Sequence, residues 1–302
     1  MQPIHKKTFA KFLQYIPIWI GLKLGRLMSF RLRSAFFAGV CGFLIPIIPG
    51  SRRRVWNGLK RVFPDMPENE VRVLCKKIGE NTGRTLSEIL FSASYSKRLD
   101  LFDATGPGLD ALQKAKEAGK GAIIVSGHFG QWEAVRHFLK SAGMETGAVY
   151  RENSNPWYEP HFLAGIKKGG EPIVAKSAAG NMRMVKHLRN GGFFALLVDQ
   201  KYQQGHLIPF LGIDALTPTA AAVMALRYDL PLVPAFGTRD ENGKNIHVEF
   251  EEPIPPSDAL TMTREVNDRI SARIIEKPEQ WYWLHNRWED TFLYERFHGG
   301  QA

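Results

Sequence analysis

The chain has 302 residues but only two cysteines, Cys41 and Cys75. Two cysteines are too few for a disulfide framework, and their spacing does not match a cysteine metal site. Such low cysteine usage fits a reduced protein that faces the cytosol. The composition is otherwise that of a globular protein, with 44% hydrophobic and 23% charged residues. The length allows a large core.

Acidic residues are absent from the first 63 positions, which nevertheless contain 12 lysines and arginines. The first acidic residue is Asp65, and the basic residues flank apolar segments that include Trp19 and Phe43. A nucleic-acid-binding region would place its basic residues among polar or isolated aromatic neighbours. The pattern therefore favours an anionic membrane surface as the partner, with no nucleic acid.

An uninterrupted apolar run of the roughly 20 residues that span a bilayer comfortably is also lacking. The charge-free run 34–51 contains Pro46 and Pro49, and the shorter run 12–22 contains Pro17. Neither run is followed by the cleavage site of a signal peptide. We therefore expect helices that lie in the inner leaflet or dip into it. A single span, and buried helices of an N-terminal subdomain, stay open as alternatives.

From about residue 65, short apolar runs alternate with amphipathic segments. Runs such as AIIVS (122–126) and FFALLVDQ (193–200) predict buried strands, and the segments between the runs have helical spacing. This alternation predicts an α/β fold with a mostly parallel central sheet covered by helices. We assign residues 1–64 to a basic, apolar, membrane-associating helical segment and residues 65–302 to the α/β domain.

The end of the chain predicts an antiparallel pair of strands and a long helix. The runs 230–239 and 245–251 are joined by DENGKN, which favours a hairpin at the edge of the sheet. The segment 264–285 has helical spacing and is expected to form one long helix. The run WYWLHNRW (281–288) is expected to pack in the core or at the membrane edge. Whether His285 and Arg287 line a cleft stays open.

Three predicted strands end in polar side chains: His128, Arg151 and Asp199. Ligands of open α/β sheets bind at the carboxyl ends of strands, which favours one shared polar site. Glu133 is expected in the first turn of the next helix, where it could bind one ring nitrogen of His128 and leave the other as a base. Ser126 lacks the G-x-S-x-G frame of a nucleophile, and no histidine pair of a zinc helix is present. A structural histidine beside a helix-capping glutamate is the alternative.

Several ordered segments carry a resemblance to a known family. They are NGLKRVFPD (57–65), HFGQWE (128–133), VYRENSNP (149–156), the Asp-Gln segment 196–222 and KPEQWYWLHNRW (277–288). Together they resemble the bacterial lipid A biosynthesis (late) acyltransferase family, within the wider His-x4-Asp/Glu acyltransferase group. The resemblance implies a fold like that of glycerolipid acyltransferases.

The resemblance implies transfer of a fatty acyl chain from acyl carrier protein onto a hydroxyl of a lipid A precursor, at the cytoplasmic face of the inner membrane. It implies that His128 is the general base and that Glu133 orients it. Arg151 is expected to anchor an anion or oxyanion, and Asp199 to position the surroundings of His128 or the acceptor sugar. No metal or other cofactor is implied. Five more family positions are expected to bind substrate: Asn153, Gln200, Phe210, Gly212 and Thr217.

Acyl carrier protein is acidic, so exposed basic residues near the site would speed its docking. The first alternative acceptor is another glycolipid, such as a phosphatidylinositol mannoside. A non-catalytic protein that binds membrane surfaces is an alternative of another class, and a nucleic-acid binder is a more distant one. The candidate docking residues are Lys167, Lys168, Lys176, Arg183, Lys186 and Arg189.

Overall fold

The computed structural model describes residues 8–98 and 102–289. Residues 1–7, 99–101 and 290–302 belong to the two predicted domains but lie outside the described part. Helices form the first third of the chain: α1 (Phe9–Leu27), α2 (Phe30–Ile47), α3 (Pro49–Val62), α4 (Glu68–Leu90) and the short α5 (Ser92–Tyr95).

Strands and helices then alternate, as the sequence predicts. The elements are β1 (Phe102–Thr105), α6 (Gly108–Glu117), β2 (Ala122–Ser126), α7 (Glu133–Ser141), β3 (Thr146–Tyr150), α8 (Glu159–Ile166), β4 (Ile173–Ala175), α9 (Ala178–Arg189), β5 (Phe193–Leu197), β6 (His206–Phe210), β7 (Ile213–Thr217), α10 (Ala220–Tyr228), β8 (Leu232–Arg239), β9 (Ile246–Phe250) and α11 (Ala259–Glu276).

Seven of these strands form one sheet in the order β1-β9-β8-β2-β5-β3-β4. Neighbouring strands are parallel except β8 and β9, which are antiparallel. The predicted mostly parallel sheet and the predicted antiparallel pair are therefore confirmed. The pair does not lie at the edge, however, because β1 adds to β9 in parallel and covers it.

Strand β2 lies in the middle of the sheet and is buried on both faces. Its five residues are all buried, and alternate side chains belong to two different apolar clusters. Ile123 and Val125 pack with residues of α9, α10 and α11, whereas Ala122 and Ile124 pack with residues of α6 and α7. This is the two-sided burial expected of a parallel sheet between helix layers.

The N-terminal helices pack closely against α4. A Cβ atom added to Gly83 of α4 would lie 2.1 Å from the carbonyl oxygen of Phe37 in α2, so the two backbones touch. Helix α2 is the one helix in the described ranges that is long and apolar enough to cross a membrane, with a mean hydropathy of 1.4 and 28% of it buried. Large apolar side chains nevertheless stay exposed on α1 and α2, among them Phe9, Trp19, Leu27, Leu32, Phe43 and Ile47.

Three elements differ from the sequence-based expectations. Strand β1 and the separate antiparallel hairpin of β6 and β7 were not predicted. The last helix ends at Glu276, because Pro278 follows and the aromatic segment 281–288 is not helical. Helix α3, which the predicted division assigns to the N-terminal segment, contributes Val55 and Leu59 to the main core. The division after residue 64 stays a prediction.

Candidate active site

The segment between β2 and α7 carries His128 and is fixed by backbone hydrogen bonds. The amide of Gly130 donates to the carbonyl of Gln280 at 2.8 Å, and the amide of Tyr282 donates to the carbonyl of His128 at 3.0 Å. The amide of Gln131 donates to the carbonyl of Gly237 at 2.8 Å. Gly130 has a φ of 54°, and a Cβ there would lie 2.1 Å from the Gly237 oxygen, so only glycine fits. His128 therefore stands on a rigid backbone.

Asp199 is the hydrogen-bond partner of the His128 ring. Its Oδ1 lies 2.7 Å from Nδ1 of His128, and its Oδ2 accepts the His128 backbone N–H at 2.7 Å. The indole Nε1–H of Trp281 donates to the same Oδ2 at 2.7 Å. Asp199 is only 2% exposed. The carboxylate is thus fully engaged by three donors.

Strand register explains why these two residues meet. Ser126 of β2 pairs with Leu197 of β5, and His128 and Asp199 each lie two residues beyond that pair. Because the two strands are parallel neighbours, equal offsets from a paired position bring the residues together at the carboxyl end of the sheet. The meeting of His128 and Asp199 follows directly from the order and register of β2 and β5.

The hydrogen bonds define which ring nitrogen is available as a base. A carboxylate can only accept, so Nδ1 of His128 carries the proton, and Nε2 keeps its lone pair. The amide Nε2 of Gln200 lies 3.2 Å from that nitrogen and donates to it. The His128 side chain is 20% exposed, unlike the buried carboxylate behind it. The lone pair of Nε2 therefore becomes available to a ligand that displaces the Gln200 amide.

The environment of Asp199 keeps its carboxylate ionised. Burial alone would raise the pKa of this carboxyl, but the charge and hydrogen bonds of His128 and the hydrogen bond of Trp281 lower it to about 2. A permanent negative charge against Nδ1 stabilises the imidazolium that forms when Nε2 takes up a proton. The pair is therefore suited to general-base chemistry.

The predicted contact between Glu133 and the His128 ring is wrong. Glu133 does begin the next helix, as expected, but its Oε2 accepts a hydrogen bond from the Arg136 guanidinium at 2.6 Å. Arg136 is 2% exposed and also donates to backbone carbonyls, including that of Thr146 at 3.1 Å. A buried cation one turn away on the same helix thus binds the carboxylate, and Asp199 holds Nδ1 of His128. A catalytic role for Glu133 stays a prediction.

Arg151 and Asn153 follow β3, two strand positions from β2 at the same end of the sheet. Arg151 is exposed. Burial, and next the charge of Arg151, lower the pKa of Lys176, so the two cations are close to each other. Asn153 donates its backbone N–H and its side-chain amide to Oε2 of Glu159, at 2.8 and 2.9 Å. Substrate contacts by Arg151 and Asn153 stay predictions.

The other three predicted substrate-binding residues lie on the hairpin of β6 and β7. Phe210 is 1% exposed, with its ring 5.5 Å from that of Trp281. Thr217 is fully buried, and its Oγ1 accepts a hydrogen bond from Arg287 at 2.5 Å. Gly212 forms the turn, with a φ of 75°. These contacts give Phe210, Gly212 and Thr217 structural roles, and substrate binding by them stays a prediction.

Trp281 is the site residue that sequence reasoning missed. The aromatic run was expected to pack in the core, and Trp281, Trp283 and Trp288 are indeed at most 2% exposed. The indole N–H of Trp281 also binds the Asp199 carboxylate, a role that an apolar run does not reveal. Pro278 was the sequence signal that could have indicated this role. A proline there ends α11, so the residues after it can return to the sheet.

No group of three histidine, cysteine, aspartate or glutamate side chains within residues 8–98 and 102–289 is arranged to hold a metal ion.

Fold and site together define an α/β protein with a histidine–carboxylate pair at the carboxyl ends of its central strands. The family model for bacterial lipid A biosynthesis acyltransferases matches residues 4–290, nearly the whole chain. The chain therefore belongs to that family, and it is an acyltransferase by family.

Curated relatives agree with the family match along most of the chain. The lipid A biosynthesis lauroyltransferase of Escherichia coli (strain K12) is 24% identical over 294 residues, which cover 95% of this chain and 93% of that protein. A lipid A biosynthesis acyltransferase of Haemophilus influenzae is 23% identical over 277 residues, or 90% and 87%. A phosphatidylinositol mannoside acyltransferase of Mycobacterium tuberculosis is 23% identical over 281 residues, or 91% and 87%.

Proposed function

We propose that this protein transfers a fatty acyl chain onto a hydroxyl group of a glycolipid, with His128 as general base. The observation that carries the proposal is the hydrogen bond between Nδ1 of His128 and the buried Asp199, which leaves Nε2 as the ring nitrogen that can take up a proton. Such a pair deprotonates a hydroxyl and needs no protein nucleophile. Asp199 replaces Glu133 as the residue that orients the base.

In the proposed reaction, Nε2 of His128 removes the proton of the acceptor hydroxyl while its oxygen attacks the thioester carbonyl carbon of the donor. The new C–O bond forms, the C–S bond breaks, and the imidazolium returns the proton to the leaving thiolate. Gln200 lies where the acceptor oxygen would approach Nε2. Arg151 is the candidate to bind a negative group of a substrate or the developing oxyanion.

A lipid A precursor is the proposed acceptor, since the two lipid A relatives named above align with most of this chain. A second candidate is a phosphatidylinositol mannoside, and the match to the M. tuberculosis relative, at nearly the same identity and coverage, favours it. Both are phosphorylated glycolipids with hydroxyl groups. The catalytic chemistry proposed for His128 is the same for either acceptor.

Acyl carrier protein is the proposed donor, and the cytoplasmic face of the inner membrane is the proposed location. The six basic residues expected to dock the donor are all exposed on the segment from the end of α8 through α9. The apolar side chains exposed on α1 and α2 would lie against the bilayer, with exposed basic residues of α1 such as Lys23 and Arg26 near the anionic headgroups. We propose this arrangement for a protein that lies on the membrane.

The test is mass spectrometry of glycolipid acceptors after incubation with the purified full-length protein and a panel of acyl donors. A mass increase of one acyl chain on the lipid A precursor is expected, and activity only on a phosphatidylinositol mannoside would select the second acceptor. His128→Ala should lower kcat by at least about a hundredfold with the fold preserved. His206→Ala, which removes an exposed histidine on β6, is the matched control. Unchanged activity in His128→Ala would overturn the proposed mechanism.

A further inference from the structure

A small cavity of about 220 Å³ lies between helix α3 and the segment 283–289. Arg53, Arg54 and Asn57 line it from α3, and Asn286 and Arg287 line it from the opposite side. We call this space the arginine cavity. Its lining combines several guanidinium groups with two amide side chains, which is the donor set that phosphate groups prefer.

Within the described ranges, Arg287 is a buried cation to which no carboxylate is hydrogen-bonded. It is 0% exposed, and its terminal nitrogens donate to the carbonyl of Leu216 at 2.6 Å and to Oγ1 of Thr217 at 2.5 Å. Both acceptors are neutral, and its Nε–H has no hydrogen-bond partner among residues 8–98 and 102–289. Burying a charge without a paired opposite charge is costly, so an anion in the adjoining cavity would stabilise Arg287 through its charge, without direct contact to its guanidinium.

The charge of Arg287 persists at neutral pH. Burial lowers the pKa of its guanidinium to about 10, although the charge of Asp199 acts in the opposite direction. Arg287 is therefore protonated whenever the enzyme works near neutral pH. A ligand that bears negative charge would add to the favourable effect of Asp199 on the buried cation, whereas a neutral ligand would not.

Arg53 and Arg54 add positive charge at the exposed side of the cavity. Both are exposed, and neither forms an ion pair with any acidic side chain in the described ranges. Glu289 also lines the cavity. Its carboxylate is ion-paired with Lys201, and the charge of Arg54 also helps to lower its pKa. Adjacent arginines repel each other, and a bound anion relieves that repulsion.

The arginine cavity lies beside the catalytic pair. His285, which lines the cavity, accepts the backbone N–H of Lys201 at 2.9 Å, and Lys201 directly follows Gln200. The same aromatic segment donates from the Tyr282 amide to the carbonyl of His128. Burial lowers the pKa of His285, and the charges of Asp199 and His128 also act on it, so this wall of the cavity lies close to the pair.

We infer that the arginine cavity is a subsite for a phosphate group of one of the two substrates. The inference rests on the proposed function, because it assigns the phosphate to a reactant of acyl transfer. Two sources share this chemistry: the phosphate of a glycolipid acceptor, and the phosphodiester of the phosphopantetheine arm of an acyl carrier protein. In either case the subsite orients the reactant and has no part in proton transfer.

The kinetic test compares Arg54→Gln with Arg52→Gln. Both arginines are exposed on α3, and each substitution removes one positive charge, but Arg52 does not line the cavity. KM is measured with the phosphorylated acceptor and its phosphatase-treated form, and with acyl carrier protein and a phosphate-free acyl thioester. Arg54→Gln should raise KM about fivefold to tenfold for the substrate that supplies the phosphate. Its effect should vanish when that phosphate is removed.

The substrate for which the KM effect of Arg54→Gln disappears identifies the source of the phosphate. Loss of the effect with the dephosphorylated acceptor assigns the subsite to the acceptor, and loss with the phosphate-free thioester assigns it to the donor. If Arg52→Gln and Arg54→Gln raise KM equally, or if the Arg54→Gln effect survives both removals, the inference is overturned while acyl transfer itself stands.

A binding measurement covers the case in which the protein transfers no acyl chain. The indole N–H signals of Trp283 and Trp288, both of which line the cavity, are followed by NMR during titration of the full-length protein with inorganic phosphate. Saturable shifts are expected in the wild type and in Arg52→Gln, with at least about fivefold weaker binding in Arg54→Gln. Absence of shifts in the wild type would overturn the subsite, independently of the enzyme activity.

Discussion

Asp199 binds His128 twice, through Oδ1 at the ring Nδ1 and through Oδ2 at the backbone N–H, each at 2.7 Å. The first bond sets the tautomer of the ring, and the second ties the carboxylate to the backbone that carries the ring. Trp281 holds Oδ2 from a third direction. The orientation of Nε2 therefore depends on one buried side chain from the neighbouring strand.

Replacing Asp199 by asparagine should impair the base while keeping the shape of the site. An amide offers one acceptor oxygen in place of two and no negative charge, so the imidazolium loses its stabilising partner. We expect kcat to fall by about 10²–10⁴-fold, measured by acyl-transfer kinetics on protein whose circular dichroism matches the wild type. A kcat within threefold of the wild type would show that Asp199 does not orient the base.

Replacing Glu133 by glutamine should affect stability more than catalysis. The substitution removes the carboxylate that neutralises the buried Arg136, which leaves that cation with carbonyl partners only. We expect the free energy of unfolding to drop by about 3 kcal/mol in urea titrations. The kcat of the folded variant should stay within a few fold of the wild type. The opposite result, full stability with activity as low as in His128→Ala, would restore Glu133 as the catalytic partner.

The contrast between Asp199 and Glu133 shows what a single sequence reveals of this site. His128 is recognisable because it follows a buried strand, and Glu133 attracts attention because it is only five residues away. Asp199 is 71 residues away, and its pairing depends on which strands are neighbours. The equal offset of His128 and Asp199 from their strand ends was visible, but the adjacency of β2 and β5 was not.

The fold, like the site, was predictable from the sequence only where local patterns determine it. Long apolar runs such as β2 and β5 are visible as strands because they are buried on both faces. Strand β1 has four residues with alternating exposure, and it pairs with β9, which lies more than 140 residues later. Local patterns carry little information about such a strand, because its stability comes from the distant partner. The end of α11 was also missed, because the aromatic run that follows it has apolar residues at a spacing that resembles a continued helix.

The stability of the protein should fall in mild acid in part because of His137; burial also lowers the pKa of His285 to about 4, so that residue contributes in the same range. Burial, and next the charges of Arg136 and Lys140, lower the pKa of His137 from 6.5 to about 4. The unfolded chain therefore binds a proton at a higher pH than the folded chain does. The contribution of neutral His137 to the free energy of unfolding is fully present above pH 6.5. It is lost as the pH falls through 4, and the loss amounts to about 3 kcal/mol for this residue.

The variant His137→Phe tests whether protonation of His137 contributes to the loss of stability in acid. Phenylalanine can keep the edge-to-face contact with Tyr95, whose ring centroid lies 5.1 Å from that of His137, but it cannot take up a proton. Unfolding in urea between pH 4 and 7 should show a flatter pH dependence than in the wild type. Asp199→Asn should change the slope only below about pH 4, since the pKa of that carboxyl is lowered from 3.8 to about 2. An unchanged slope in His137→Phe would contradict the assignment.

The contact between α2 and α4 should not tolerate a methyl group at Gly83. The added Cβ would lie 2.1 Å from the carbonyl oxygen of Phe37, so the two helices would have to separate. Gly83→Ala is expected to lower the free energy of unfolding by about 1–3 kcal/mol. Gly39→Ala on α2 is the control, because a Cβ there meets no atom within 4 Å and should raise it by about 0.5–1 kcal/mol. Guanidinium unfolding of both variants checks the prediction, and a neutral Gly83→Ala would refute close helix contact.

The position of Trp281 in the chain has a consequence for how the enzyme matures during synthesis. A ribosome that has completed β9 has already produced His128, Asp199 and every strand of the main sheet. The indole that binds Asp199 and the amide of Tyr282 that binds the His128 carbonyl are made only after α11. The central strands are therefore synthesised before Trp281 and Tyr282, and the His128–Asp199 pair is secured only after the segment that follows α11 has been made.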